Sequence, residues 1–122
     1  MRICVTAEGD NLDAQVDQRF GRCKYFIFVD TDTLEFEAVA NLNVTGMGGV
    51  GIQSGQLMSE KEVKVVLTGK VGPSASETLT AAGIDVMLNV SGCVRDAIEK
   101  FKHGQLTLAK GPNAQEHSGM NS

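Results

Sequence analysis

Apolar and polar residues alternate from the start of the chain. Arg2, Ile3, Cys4, Val5, Thr6 and Ala7 place side chains on two faces of an extended segment, which Glu8, Gly9, Asp10 and Asn11 end in a turn cluster. Residues 11–23 are polar, with Val16 and Phe20 as their main apolar anchors, and read as a loop. Residues 25–29 form a continuous apolar run. Asp30, Thr31, Asp32 and Thr33 turn it into residues 35–40, where Phe36 and Val39 add apolar surface, so the two runs predict a hairpin. Residues 63–68 read as a buried strand ending at Gly69, and residues 84–88 as a further strand.

The helical periods fall between these strands. Residues 45–56, rich in glycine, open into a segment that continues as a helix to Glu60. Ser74 and Glu77 have the spacing of a capping box, Ala75, Leu79 and Ala82 share one face, and Gly83 stands where a terminating glycine belongs. Ser91 offers an N-cap for a helix with Val94, Ala97, Ile98 and Phe101 on one side. Lys100, Lys102 and His103 occupy its last turn, with Gly104 beyond. Residues 105–109 alternate and predict a short edge strand, and residues 111–122 carry almost no apolar side chains and predict a flexible tail. A hairpin followed by strand-helix crossovers predicts an α/β fold, a mixed five-stranded sheet with helices on its faces.

Length and composition narrow the function classes. A chain of 122 residues makes one domain, placed at residues 1–110, with a single core. The net charge of −4 contains no basic block, which argues against nucleic acid as a partner. No apolar run approaches the ~18 residues of a membrane span, and Met1 and Arg2 lead directly into a strand, so a cytoplasmic protein without membrane contact is expected. Cys4, Cys23 and Cys93 are odd in number and widely spaced, which predicts thiols rather than disulfides.

Two stretches carry candidate chemistry. Residues 45–56 contain five glycines, and Gly46, Gly48, Gly49 and Gly51, placed before a helix, suit a seat where backbone amides meet an anionic ligand. Gly46, Gly48 and Gly51 match G-x-G-x-x-G, yet they do not follow the first strand, and Lys70, Val71 and Gly72 stand where a dinucleotide fold needs an acid. The loops at residues 69–72, with Gly69 and Gly72, and at residues 89–92 belong to the same carboxyl end of the predicted sheet. The second stretch is Arg19, Phe20, Gly21, Arg22 and Cys23. Guanidiniums bind multi-oxygen or multi-sulfur anions, and flanking positive charge lowers a thiol pKa toward the metal-binding thiolate. The competing reading has Phe20 plugging the core and the arginines paired with Asp13 or Asp17. His103 and His117 are the only histidines, and no triad or strand-end carboxylate set is indicated, which argues against a hydrolase.

The first strand, Phe20-Gly21-Arg22, the run from Gly48 to Gln53, the run from Val66 to Pro73, the Ala82-Gly83-Ile84 step, and the tail residues His117 to Met120 together resemble the dinitrogenase iron-molybdenum cofactor biosynthesis family. The resemblance implies a ribonuclease-H-like fold without nuclease residues, no catalysis, and the binding, carrying or scaffolding of an iron-sulfur or iron-molybdenum-type cluster, with cofactor-assembly proteins as partners. It places the cluster among Arg19, Phe20, Gly21, Arg22, the glycines of residues 46–51, Gly69 and Gly72. Relatives carry His before Phe-Gly-Arg where this chain has Arg19, so Cys23 and the tail's His117 are the candidate metal ligands. The alternative from a different class is a small regulatory or interaction module that binds a phosphate-bearing metabolite or a partner protein.

Overall fold

Alternation along β1 (Arg2–Ala7) buries both faces of that strand, because each face has its own helical cover. The computed structural model describes residues 1–41, 50–106 and 108. Ile3, Val5 and Ala7 join Ile27, Val29, Val65 and Leu67 in one cluster, and Cys4 joins Phe26, Phe28 and Val66 in the other. The strands are β1, β2 (Tyr25–Asp30), β3 (Phe36–Ala40), β4 (Val65–Leu67) and β5 (Asp85–Met87), in the spatial order β3-β2-β1-β4-β5. β1 pairs antiparallel with β2 and parallel with β4, β4 pairs parallel with β5, and β2 pairs antiparallel with β3. The expected mixed five-stranded α/β sheet is therefore observed.

Three helices cover it. α3 (Val94–Lys102) contributes Val94, Ala97 and Ile98 to the first cluster, at the helical spacing that the sequence shows. α1 (Val50–Glu60) contributes Met58, and α2 (Pro73–Ala81) contributes Ala75 and Leu79, to the second. Asp96 in the first turn of α3 and Lys100 and Lys102 in its last turn oppose the helix dipole. Gly83 and Gly104 take positive φ just past the ends of α2 and α3, where a residue with a Cβ would be strained.

Three local expectations are corrected. The Ser74–Glu77 capping box does not form, since Gly72 is the N-cap and Pro73 the first helical residue, a position for which proline's fixed φ is suited. α3 is capped by Cys93 rather than Ser91, because Gly92 turns at φ +87° and Cys93 bridges to Gln15 in extended geometry. In the predicted last strand the described partner is Leu108, which bridges to Met87 antiparallel, while Gln105 and Leu106 stand outside any strand. Residues 111–122 lie outside the described residues.

α1 and α2 pack against each other, and Gly55 faces Thr78 across their contact. A Cβ there would stand 2.4 Å from Thr78 Cγ2 and 2.9 Å from Thr78 Cβ. Gly55→Ala gains ~1 kcal/mol of helix propensity but forces the helices apart, a cost of ~1–3 kcal/mol that decides the sign. Urea denaturation is expected to show net destabilisation in Gly55→Ala and partial recovery in Gly55→Ala/Thr78→Ala, which removes the 2.4 Å contact and keeps the 2.9 Å one. A single variant as stable as wild type would contradict this packing.

Candidate functional site

The sheet places its connecting segments at one end. β1 ends at Ala7 opposite Tyr25, where β2 begins, and Tyr25 is opposite Ala40, where β3 ends. Residues 8–24, the exit at Asn41, residues 68–72 and residues 88–93 therefore all emerge beyond the carboxyl ends of the parallel strands. Open α/β sheets bind ligands there.

Residues 11–23 read as a loop, and the structure shows the segment 8–24 stitched to the strand ends around it. Val16 bridges to Ala7, Gln15 to Cys93, and Arg19 to Lys70 in parallel. Val16 N–H donates to Gly92 O (2.8 Å), Phe20 N–H to Lys70 O (3.0 Å), and Lys70 N–H to Gln18 O (2.7 Å). Gln18 Nε2 donates to Val90 O at 2.8 Å, which ties the same segment to the β5 loop. Asn41 Nδ2 donates to both Gly21 O and Cys23 O at 2.9 Å, which fixes the far side. Below these ties lies a buried hydroxyl pair, Thr6 Oγ1 and Thr68 Oγ1 at 2.8 Å, joining the ends of β1 and β4.

The stitching sets Arg19 beside Lys70. Arg19, Arg22, Lys24 and Lys70 are all exposed, on two loops that share backbone hydrogen bonds, in a chain whose net charge is −4. Arg19 Nε lies 3.5 Å from the Asp17 carboxylate. The N-caps of α2 and α3, Gly72 and Cys93, open toward the same end without a side-chain hydrogen bond to cap them. Both helix dipoles point their positive ends there, but in α3 the first N–H groups are already taken, Val94 donating to Ala14 O (2.9 Å) and Arg95 to Leu12 O (2.8 Å), so amide donors for an anion are left to α2. A concavity of about 470 Å³, lined by Arg2, Ser59, Glu62 and Lys64 among others, lies at the opposite end of the sheet. The carboxyl ends of α1 and α2 face it, and their carbonyls disfavour an anion despite the two cations.

Not every predicted residue belongs to this surface. Arg22 and Arg19 do, and Gly72 leaves open space where a Cβ would stand. Phe20 is a core plug, 7 % exposed, with its ring 5.8 Å from that of Phe26. Gly21 is buried, at φ +89°. Gly69 is explained by packing, because a Cβ would stand 2.7 Å from Gln18 O and 2.8 Å from Gln18 Cα. Gly51 lies in the first turn of α1, and Gly46, Gly48, Gly49 and His117 lie outside the described residues.

The expected lowering of the Cys23 pKa is corrected. The thiol is fully buried, and burial first, then the Asp17 carboxylate, push it up to about 12. Burial also raises Cys4 well above its ordinary value. Cys23 sits among Phe20, Phe26 and Met58 as a core residue. Arg19 and Arg22 are exposed, where solvent screens their charge. Of the suggested arginine pairings, Arg19 takes Asp17, whereas Asp13 is held by Arg95 at 3.2 Å. Lys24, Lys70 and Asp17 were not singled out from sequence as site residues. The signal for Lys70 was available, a cation inside a loop already assigned to the ligand end.

The family described as dinitrogenase iron-molybdenum cofactor matches residues 1–104. The solved apo form of the orange protein from Desulfovibrio gigas is 46 % identical, covers 92 % of this chain and 95 % of its own, and superposes with a TM-score of 0.88. The NMR structure of a putative NifB protein from Thermotoga is 33 % identical over 94 % of this chain and 97 % of its own, with a TM-score of 0.82. A putative dinitrogenase from Methanocaldococcus jannaschii, 15 % identical over 92 % of this chain and 97 % of its own, shares the fold at a TM-score of 0.71. Comparison with curated proteins yields no match.

The thiols give two expected outcomes. Iodoacetamide under native conditions is expected to modify Cys93, which is partly exposed, and to reach Cys4 and Cys23 only in denaturant. Mass spectrometry of the alkylated peptides checks this, and rapid native labelling of Cys23 would contradict it. The raised thiols also make stability pH-dependent. A folded pKa of about 12 against an ordinary 9.0 means that the contribution of Cys23 is complete below pH 9 and is lost as pH rises toward 12. Melting temperature is expected to fall more gently across that window in Cys23→Ala than in wild type, after an overall loss of ~1–2 kcal/mol from the cavity. Parallel pH profiles for the two proteins would contradict the assignment.

Proposed function

The chain belongs to the dinitrogenase iron-molybdenum cofactor family, and on that premise we propose that it binds and carries an iron-sulfur or iron-molybdenum-type cluster as cargo in cofactor biosynthesis. The carrying observation is the grouping of the exposed Arg19, Arg22, Lys24 and Lys70 with the N-terminus of α2, which has no side-chain cap, beyond the carboxyl ends of the sheet. Metal-sulfur clusters of this class are compact anions, and fixed cations together with oriented amides are what such a cargo requires.

The names of the similar proteins support the same reading. One is an orange protein solved in an apo form, words that we take to mean a coloured ligand, and another is a putative NifB protein. In our reading the present chain handles a ligand of that class. The strand order β3-β2-β1-β4-β5, with β2 antiparallel, supports the ribonuclease-H-like assignment. β1 carries Arg2 and no carboxylate, so the acids that a nuclease would place there are missing.

The reading is non-catalytic. The side chains around the loops offer permanent charge, while a general base would need a group that titrates near neutral pH. Within the described residues no group of three or more His, Cys, Asp or Glu side chains gathers as a metal site. In this reading the cations hold the cluster as a whole anion, and His117 is the candidate for direct ligation. Cofactor-assembly proteins are the proposed donor and acceptor, in the cytoplasm. No helix among the described residues is long and apolar enough to cross a membrane.

Anaerobic incubation with ferrous iron, molybdate and sulfide, followed by metal and sulfide analysis and visible spectroscopy, tests the proposal. Wild type is expected to retain a coloured cluster. Arg19→Ala/Arg22→Ala is expected to bind at least about tenfold more weakly, since each charge-assisted contact contributes ~1.5–3 kcal/mol, and rising salt is expected to weaken wild-type retention. Truncation after Lys110 is expected to lower affinity modestly. Uptake unaffected by the double substitution would overturn the site. Stabilisation by inorganic phosphate or a nucleotide, with no cluster retained, would favour the phosphate-metabolite alternative that the same cations allow.

A further inference from the structure

Among the described residues Asp17 is the only acidic side chain that the fold buries, at 4 % exposure. It lies beneath the cationic loops. A buried negative charge at the floor of an anion site is costly twice over, through its own desolvation and through repulsion of the ligand. Its contacts explain why it is there. Oδ1 accepts the Arg19 N–H at 3.2 Å and stands 3.5 Å from Arg19 Nε, while Oδ2 accepts the Lys24 N–H at 3.3 Å. The main chain of the same residue is pinned to β1: Asp17 N–H donates to Thr6 O at 2.9 Å, and Thr6 Oγ1 donates to Asp17 O at 2.6 Å.

One side chain therefore closes both ends of the loop that carries Arg19, Arg22 and Lys24, and anchors it to the end of the central strand. Such a clamp needs two acceptors and no donor, which only a carboxylate supplies at this length. We infer that Asp17 is a positioning residue that holds Arg19, Arg22 and Lys24 in place for the anionic cargo, an inference that rests on the cluster-carrying reading. Preorganised cations bind without first losing loop entropy.

Electrostatics and positioning predict opposite signs for Asp17→Asn. Removing a negative charge below the site would by itself tighten anion binding. Asparagine, however, keeps only one acceptor, and its NH2 would face a backbone N–H, so one end of the loop is released. The positioning role predicts about tenfold weaker cluster retention after reconstitution with iron, molybdate and sulfide, the equivalent of one lost charge-assisted hydrogen bond. It also predicts that amide exchange at Arg19 or Lys24 in the cargo-free protein accelerates about tenfold, the change expected when a local opening costs ~1.4 kcal/mol less, while β1 and β4 keep their protection.

Equal or tighter retention by Asp17→Asn would overturn the inference. If wild type itself retains no cluster, the cargo reading fails, and the clamp is then judged by exchange alone, unchanged rates at both amides overturning it. Asp17→Glu keeps the charge and both acceptors. It is expected to protect Arg19 and Lys24 better than asparagine does, and serves as the comparison with wild type if the asparagine variant does not fold. A folded glutamate variant in which both amides exchange freely would overturn the inference as well.

Discussion

The interaction on which the rest depends is the hydrogen-bonded stitching of residues 8–24 across the ends of β1, β4 and β5. The polar segment has few apolar anchors, and by itself it would be a costly loop to order. It is held because its backbone groups pair with those of three strand ends, at Ala7, Lys70 and Cys93, and because Thr6 and Thr68 satisfy one another beneath it. Those ties drive Phe20 into the core, seat Cys23 beside it, and leave Arg19, Arg22 and Lys24 facing solvent next to Lys70. Core completion and the charged surface are two faces of one excursion.

The charge distribution follows from the same geometry. The cations stand where solvent screens them, so each contributes little to stability by surface pairing and stays available to an anion. Asp17 has lost solvent on nearly every side, and the backbone N–H groups of Arg19 and Lys24, with the Arg19 guanidinium, make its burial tolerable. Burial, with that carboxylate as the second cause, also reverses the expected behaviour of Cys23. Proximity in sequence to two arginines suggested a lowered thiol pKa. In three dimensions burial and Asp17 dominate, and the thiol is pushed up to about 12.

Much of the fold was legible in the sequence because it depends on periodicity. β1 at Arg2–Ala7, the hairpin of β2 and β3, and the buried face of α3 are each set by local patterns that tertiary structure does not overrule. Cap positions were less legible. Ser74 and Ser91 are good caps in isolation, but Pro73 and the Gln15–Cys93 bridge decide where the helices begin. The candidate surface was legible as a location, the carboxyl end of the sheet, and Arg19 and Arg22, read from sequence as ligand residues, are exposed there. Asp17 could not be found that way, since nothing in its sequence neighbourhood signals that a carboxylate in a polar loop is buried. Glycines were ambiguous for a related reason. Gly69 and Gly72 look alike in sequence, yet one is required by the approach of Gln18 and the other has open space.

The central claim is that the anionic cargo sits beyond the carboxyl ends of the parallel strands, on the stitched loops. Backbone amide NMR spectra of the chain before and after anaerobic loading with iron, molybdate and sulfide test it directly, since a bound cluster shifts or broadens the amides nearest to it. The expected perturbations fall on residues 17–24, 69–72 and 89–94, with the hairpin turn after Asp30 and the corner at Glu62 unchanged. Perturbations centred instead on Arg2, Ser59 and Lys64, at the opposite end of the sheet, would contradict the account.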